Sequence, residues 1–311
     1  MNVERIPVTD RAAWLAMRQR DVTASVAAAL LGVHEYQTAY GLWALKSGRV
    51  AEDIEETPAM RRGRLLEDDA LQILAEDRPT WTVTPANDAY YRAPELRLGA
   101  TPDAYVTIPS RPGIGIAQVK TVEATKFRRE WQPAGATEPE APLWIAIQST
   151  IEAKLRGADY AIVAPLVIGY GLDVIPVEVP VHDGIFSRIA EETRSFWNLV
   201  DSGRDPEPDY GRDTALIDQV YSRDDGTEID LSSDNRMPSL LARRERRRRF
   251  IRAAQQSVDR IDTELKSKIG AHERAHVPGW RLRWSVEERA GRYQPPTSSR
   301  VLRINPTPMR S

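Results

Sequence analysis

Asp103 and the Gln118-Val119-Lys120 triplet put a carboxylate, an amide oxygen and an amine into one short stretch of chain. That set suits metal-assisted hydrolysis of a phosphodiester. A hard cation such as Mg²⁺ takes oxygens from one or two carboxylates and keeps several waters, so Asp103 and the Gln118 carbonyl oxygen suffice as an anchor. Lys120 would position or help deprotonate a water, while the metal neutralises charge developing on the phosphate. The same three residues are equally compatible with polar positions on an exposed hairpin.

The elements that must hold them are legible from β-branched enrichment and Pro/Gly punctuation: a strand over 98–108, a turn over 109–113 and a returning strand over 114–120. A turn centred between Ser110 and Arg111 sets Asp103 opposite Gln118, with side chains within about 5.5 Å of each other. Alternation puts Gln118 and Lys120 on one side and Ala117 and Val119 on the other.

Upstream, short helices are expected from Thr9 to Arg18, from about Thr23 to Leu31 and from Ala39 to Ser47, forming an N-terminal helical layer. Pro58 opens a longer helix to about Asp77, with Leu66, Ala70, Ile73 and Leu74 on its apolar stripe. Glu67 borders that stripe, where it either looks into the cleft beside the hairpin or is solvated like Asp68 and Asp69. Between Thr121 and Trp131, basic residues interleave with aromatics. Arg128 and Trp131 there suit a nucleic-acid backbone and a stacked base, and equally a solvated loop.

Pro142 starts a helix to Arg156 that Gly157 stops, with Gln148 just off the apolar stripe of Ile147, Ile151 and Leu155. Strands follow at 160–168 and 172–179, then an amphipathic helix at 185–202. The order predicts an α/β core with a mixed sheet. Residues 1–205 form that core and the Asp/Pro/Gly/Ser-rich stretch 206–238 is a linker. Residues 239–311 form a C-terminal extension: a long helix over 239–275 and short strands at 280–286 and 301–304. The apolar spacing in the long helix fits self-association, or a helix lying on its own domain.

Composition bounds the function. The 311 residues are 41% hydrophobic and 28% charged, with net charge −2 and no cysteine, which excludes thiolate chemistry and sulfur-ligated metal. Four histidines are too scattered for a metal centre, although His272 and His276 share a helical face in the predicted helix. No run approaches the ~18 apolar residues of a membrane span, and no secretory signal opens the chain, so a cytoplasmic protein without membrane contact is expected. Charge is uneven: seven arginines and one acid lie between Arg243 and Arg252, against acids at 52–56 and 67–69. A local basic lining is enough for nucleic acid.

Four motifs in order resemble the lambda-exonuclease-like, YqaJ-type phage recombination nucleases of the PD-(D/E)XK superfamily. They are Trp14-x-x-x-Arg18 with Thr23-Ala-Ser25; Gly63-Arg-Leu-Leu-Glu67; Thr101-Pro-Asp103 with Gln118-Val-Lys-Thr121; and Trp131 followed by the Pro142-led helix bearing Gln148. The resemblance implies a restriction-endonuclease-like core, with a central mixed sheet flanked by helices. It implies that Arg18, Thr23 and Ser25 hold the 5′-phosphate of duplex DNA. Glu67, Asp103, Gln118 and the Val119 carbonyl would hold Mg²⁺, with Mn²⁺ able to substitute. Lys120 would assist the general base, and Gln148 would hold the water or nearby backbone.

The implied activity is 5′-to-3′ digestion of linear duplex, leaving 3′ single strands for a phage annealing protein inside a bacterial host. The enzyme would be phage- or prophage-encoded and assembled as a homo-oligomer, in relatives often a ring. Two departures stand out: Gln118 replaces the family's acid, and Thr150 stands where many relatives have another glutamine. The first leaves open a DNA-binding recombination accessory with an impaired site. An endonuclease on the same core is the third alternative.

Overall fold

Around the hairpin, Ala104 lies opposite Ala117, Tyr105 opposite Ile116 and Val106 opposite Gly115, the register that the turn predicts. The computed structural model describes residues 1–51, 56–86 and 88–287, in two units, Met1–Tyr221 and Ser222–Ser311.

The first unit begins with β1 (Glu4–Pro7) and α1 (Arg11–Arg20), whose start is capped by Asp10 accepting from the Ala13 N–H at 2.8 Å. β2 (Val22–Thr23) leads into α2 (Ala24–Ala27) and a 3-10 turn, Ala28–Leu31, which Gly32 ends at φ 70°. Thr38 caps α3 (Ala39–Lys46), and Thr57 with Pro58 opens α4 (Pro58–Asp77). Next come β3 (Thr82–Pro85), β4 (Ala89–Ala93), β5 (Leu98–Ala100), β6 (Ala104–Thr107) and β7 (Gly115–Glu123). α5 (Ala124–Glu130), α6 (Leu143–Arg156), β8 (Tyr160–Ile168), β9 (Leu172–Val174), β10 (Val177–Val179), α7 (Asp183–Asp201) and α8 (Thr214–Val220) complete it.

The larger sheet runs β10-β8-β7-β6-β3 with β9 also on β8; β7 and β8 are parallel and the other pairs antiparallel. This is the α/β core expected, a central mixed sheet flanked by helices. α4 covers one face with Ala70, Leu71 and Leu74 against Ala117 and Val119. α6 covers the other with Ile145 and Ala153 against Ile116 and Val122. The far side of α6, Ile147, Ile151 and Leu155, packs into a second core with α2, α3, α7 and a smaller sheet ordered β1-β4-β5-β2. α6 is therefore enclosed on both sides.

Several expectations are corrected. The single strand at 98–108 is two strands in different sheets, and Asp103 lies in the crossing between them, where Pro102 has no N–H for a ladder. The strand at 172–179 breaks at Ile175-Pro176 for the same reason. β1, β3 and β4 had no clear sequence signal. Residues 206–221 belong to the first unit: Leu216, Ile217 and Val220 pack on its core, and the buried Asp213 accepts from the Thr38 hydroxyl at 2.7 Å.

In the second unit α9 (Met237–Ile269) ends before Gly270, so His272 lies beyond the helix and His276 lies on β11 (Arg274–Val277), which pairs with β12 (Trp280–Arg283). Only Ile269 of α9 is buried, and Phe250, Ile251, Val258 and Ile261 stand exposed. The strand expected at 301–304 lies outside the described residues.

Candidate active site

β7 alternates as the period-two pattern demands. Its even positions face α6, and there Gln118 and Lys120 sit between the core residues Ile116 and Val122. Asp103 meets them from the end of β6. The Val119 N–H donates to Asp103 Oδ2 at 2.7 Å, and Gln118 Nε2 donates to the same oxygen at 2.5 Å. Gln118 Nε2 also lies 3.4 Å from the Val119 carbonyl. The amide nitrogen thus faces both acceptors that the resemblance would give to a cation, while Gln118 Oε1 is buried without a donor. A half-turn of the amide exchanges the two atoms.

Three carboxyls respond to this enclosure. Burial, then the charge of Glu67, pushes Asp103 up to about 7, against the pull of Lys120 and of its two hydrogen bonds. Glu67, half-buried one turn before the α4 core residues, is raised by burial and Asp68 and lowered by Lys120. Glu152, 1% exposed on α6, is raised well above the carboxylate range by burial and by Asp103, with Gln148, Lys120 and Arg18 opposing. Gln148 Nε2 donates to Glu152 Oε1 at 2.8 Å; Gln148 Oε1 and Glu152 Oε2 are buried without donors.

Among the described residues no three His, Cys, Asp or Glu side chains gather closely enough to enclose a metal by themselves. The donor set fits a hard cation held by one or two carboxylates, with amide oxygens and water completing the shell.

Arg18, Thr23 and Ser25 converge. Arg18 Nη2 lies 3.3 Å from Ser25 Oγ, the Thr23 and Ser25 hydroxyls are 3.0 Å apart, and the guanidinium stacks over Trp14 at 4.4 Å. Trp14 Nε1 donates to Thr101 Oγ1 at 3.2 Å, tying this cluster to the segment that delivers Asp103. The buried Asp21, just before β2, accepts three bonds from Arg92, at 2.8, 2.9 and 3.1 Å, and one from Tyr90 at 3.2 Å. That network anchors the turn carrying Thr23.

The buried His34 accepts the Tyr36 and Gln37 N–H groups on Nδ1, each at 3.0 Å, so its proton resides on Nε2, which donates to the Ser25 carbonyl at 2.9 Å. Its ring lies 4.9 Å from that of Trp144, and Lys120 Nζ lies 6.0 Å from the Trp144 ring centre.

Arg128 is exposed on α5, but Trp131 is corrected: it is 2% exposed, stacked on Phe127 in the core, and its ring cannot meet a base. Sequence reasoning missed Glu152. A signal existed, because α6 is apolar or small nearly all round, which marks a helix buried on every side and its polar residues as buried too.

Residues 13–148 match the model of the YqaJ-like viral recombinase domain, a match that stops at Gln148. No curated protein matches the chain in sequence. Among solved structures, the chain is similar to an alkaline exonuclease from Laribacter hongkongensis (16% identity, TM-score 0.49, 62% of this chain and 94% of that one). It is also similar to a phage-related exonuclease from Haemophilus somnus (14%, 0.40, 58% and 94%). A third is a putative exonuclease from Eubacterium rectale (11%, 0.43, 73% and 97%).

Proposed function

We propose, from the match of residues 13–148 to the YqaJ-like viral recombinase domain, that this chain is a nuclease, a Mg²⁺-dependent exonuclease digesting linear duplex DNA from a 5′ end. The observation that carries this reading is a juxtaposition. The Arg18-Thr23-Ser25 cluster is tied through Trp14 to the Asp103 segment, and Arg18 exerts its charge on Glu152 beside Asp103 and Lys120. A pocket for a terminal phosphate next to a hydrolytic centre restricts cutting to the neighbourhood of an end.

In this reading Arg18 and the two hydroxyls hold the 5′-phosphate, a guanidinium being the natural forked partner for it. Asp103, Glu67, the Gln118 amide oxygen and the Val119 carbonyl would hold the metal, which when bound supplies charge neutralisation and an activated water. Lys120 stabilises negative charge on the phosphorus oxygens as the water attacks in line. Gln148 keeps that water or the adjacent backbone in place. Products would be 3′ single strands for a phage annealing protein in the bacterial cytoplasm, and a homo-oligomer around the duplex would keep the enzyme on its substrate. Among the described residues no helix is long and apolar enough to cross a membrane.

The test is Mg²⁺-dependent nucleotide release from 5′-phosphorylated and 5′-hydroxyl linear duplex, with closed circular DNA alongside. Preference for the 5′-phosphate and an intact circle are expected; cutting of the circle makes it an endonuclease. One observation favours a second reading, an accessory with an impaired site: the Gln118 amide nitrogen already caps Asp103. If Gln118→Glu cuts and wild type does not, that reading wins.

A further inference from the structure

Three of the buried side-chain atoms without a partner are oxygens on the α6 side of β7: Gln118 Oε1, Gln148 Oε1 and Glu152 Oε2. A buried acceptor without a donor is unfavourable, and a carboxylate oxygen more so. Gathered in one layer, such oxygens are complementary to positive charge.

Asp103 meets β7 from the end of β6, and its neighbour there, Gln118, is neutral. Glu152 projects from α6, one turn after Gln148, at the seam between the stripe that packs on the sheet and the stripe of Ile147, Ile151 and Leu155. Its Oε1 is fixed by Gln148 while Oε2 is left unbonded, and the charges of Asp103 and Lys120 both bear on it. A helix wanting only packing here would be better served by leucine, and one wanting only hydrogen bonding by a saturated polar group.

We infer that Glu152 is an oxygen ligand of the divalent cation, the second direct carboxylate beside Asp103, delivered from α6 to compensate for the neutral side chain at 118, with Glu67 reaching the ion through water. This rests on the nuclease reading above and adds to it a residue beyond the matched domain.

The test is Mn²⁺ binding to the full chain by titration calorimetry, with thermal unfolding in the absence of metal. Wild type, Glu152→Gln, Gln118→Glu and the double variant are compared. Glu152→Gln is expected to bind Mn²⁺ about tenfold more weakly or worse, yet to melt no lower than wild type without metal, because an amide of the same size and shape keeps the packing of the carboxyl it replaces. Gln118→Glu should bind more tightly than wild type and melt lower without metal. The double variant should recover most of the lost affinity, since the acid is restored on the strand.

Equal affinity in wild type and Glu152→Gln overturns the inference. So does metal-free melting of Glu152→Gln well below wild type, which marks a structural residue, and so does a double variant as weak as Glu152→Gln. A wild type that neither binds Mn²⁺ nor releases nucleotides sinks the nuclease reading itself. A wild type that does both, with Glu152→Gln unchanged in affinity, sinks this inference alone.

Discussion

Toward α4, β7 presents Ala117 and Val119 to Ala70, Leu71 and Leu74 in an apolar layer; toward α6, it interrupts the row of Ile116 and Val122 with Gln118 and Lys120. Both faces are covered by a helix, so the difference is not one of access to bulk water. The α4 face lowers the free energy of the fold by burying carbon. The α6 face holds polar groups in a place where apolar side chains would stabilise more, and residues adjacent in sequence therefore serve opposite ends. Substitutions on the two faces should separate stability from activity.

The largest effect is expected on the polar face. Lys120→Ala should lower cleavage of linear duplex by roughly 10²–10³-fold, the usual cost of removing one charge-stabilising donor, with an unchanged melting temperature and DNA binding retained. Nucleotide release beside thermal unfolding checks both halves, and sustained turnover would erase the contrast between the faces. On the apolar face, Leu74→Ala should cost about 2–5 kcal/mol by opening a cavity, read from urea unfolding, while cleavage per folded molecule persists.

Asp103→Asn sharpens the comparison through pH. Asp103 is raised to about 7 from 3.8, so the metal-free fold holds this proton more tightly than the unfolded chain. The associated stability is fully present below about pH 4 and is lost as pH rises through about 7. The asparagine variant should lack that loss and melt higher than wild type at pH 8 without metal, with the gain gone near pH 4. A melting curve for the variant that tracks wild type across this range would mean that burial of Asp103 carries no such cost. The smallest effect belongs to the surface: Arg128→Ala should weaken DNA binding modestly and reduce the slope of log K against log salt by about 1, measured by fluorescence anisotropy.

The hairpin was legible because strand period and turn position leave one register, and side-chain partners follow from register alone. Helix starts expected at Thr9, Ala39 and Pro58 fall within two residues of the observed ones, where Asp10, Thr38 and Thr57 cap the first turns, because a helix start is a local signal. Trp131 was misjudged and Glu152 passed over for a common reason: whether a side chain is covered depends on elements distant in sequence. An aromatic beside arginines reads alike in a core or on a stacking platform, and the nearly all-round apolar surface of α6 marks Glu152 as buried without saying which layers cover it. The break at Pro102 was visible as a proline, but its consequence, a transfer between sheets, depends on where β4 and β2 lie.

The exposure of α9 has a counterpart in exchange rates. With Ile269 its only buried residue, its amide protons are held by the helix alone, and they should trade with deuterium through local fraying within a short labelling time. Those of β7, paired with β8 along the whole strand and with β6 at Gly115, Ile116 and Ala117, should wait for the first unit to open as a whole. A deuterium-uptake map would therefore divide the chain into a fast helix and a slow strand, with the candidate catalytic lysine on the slow one.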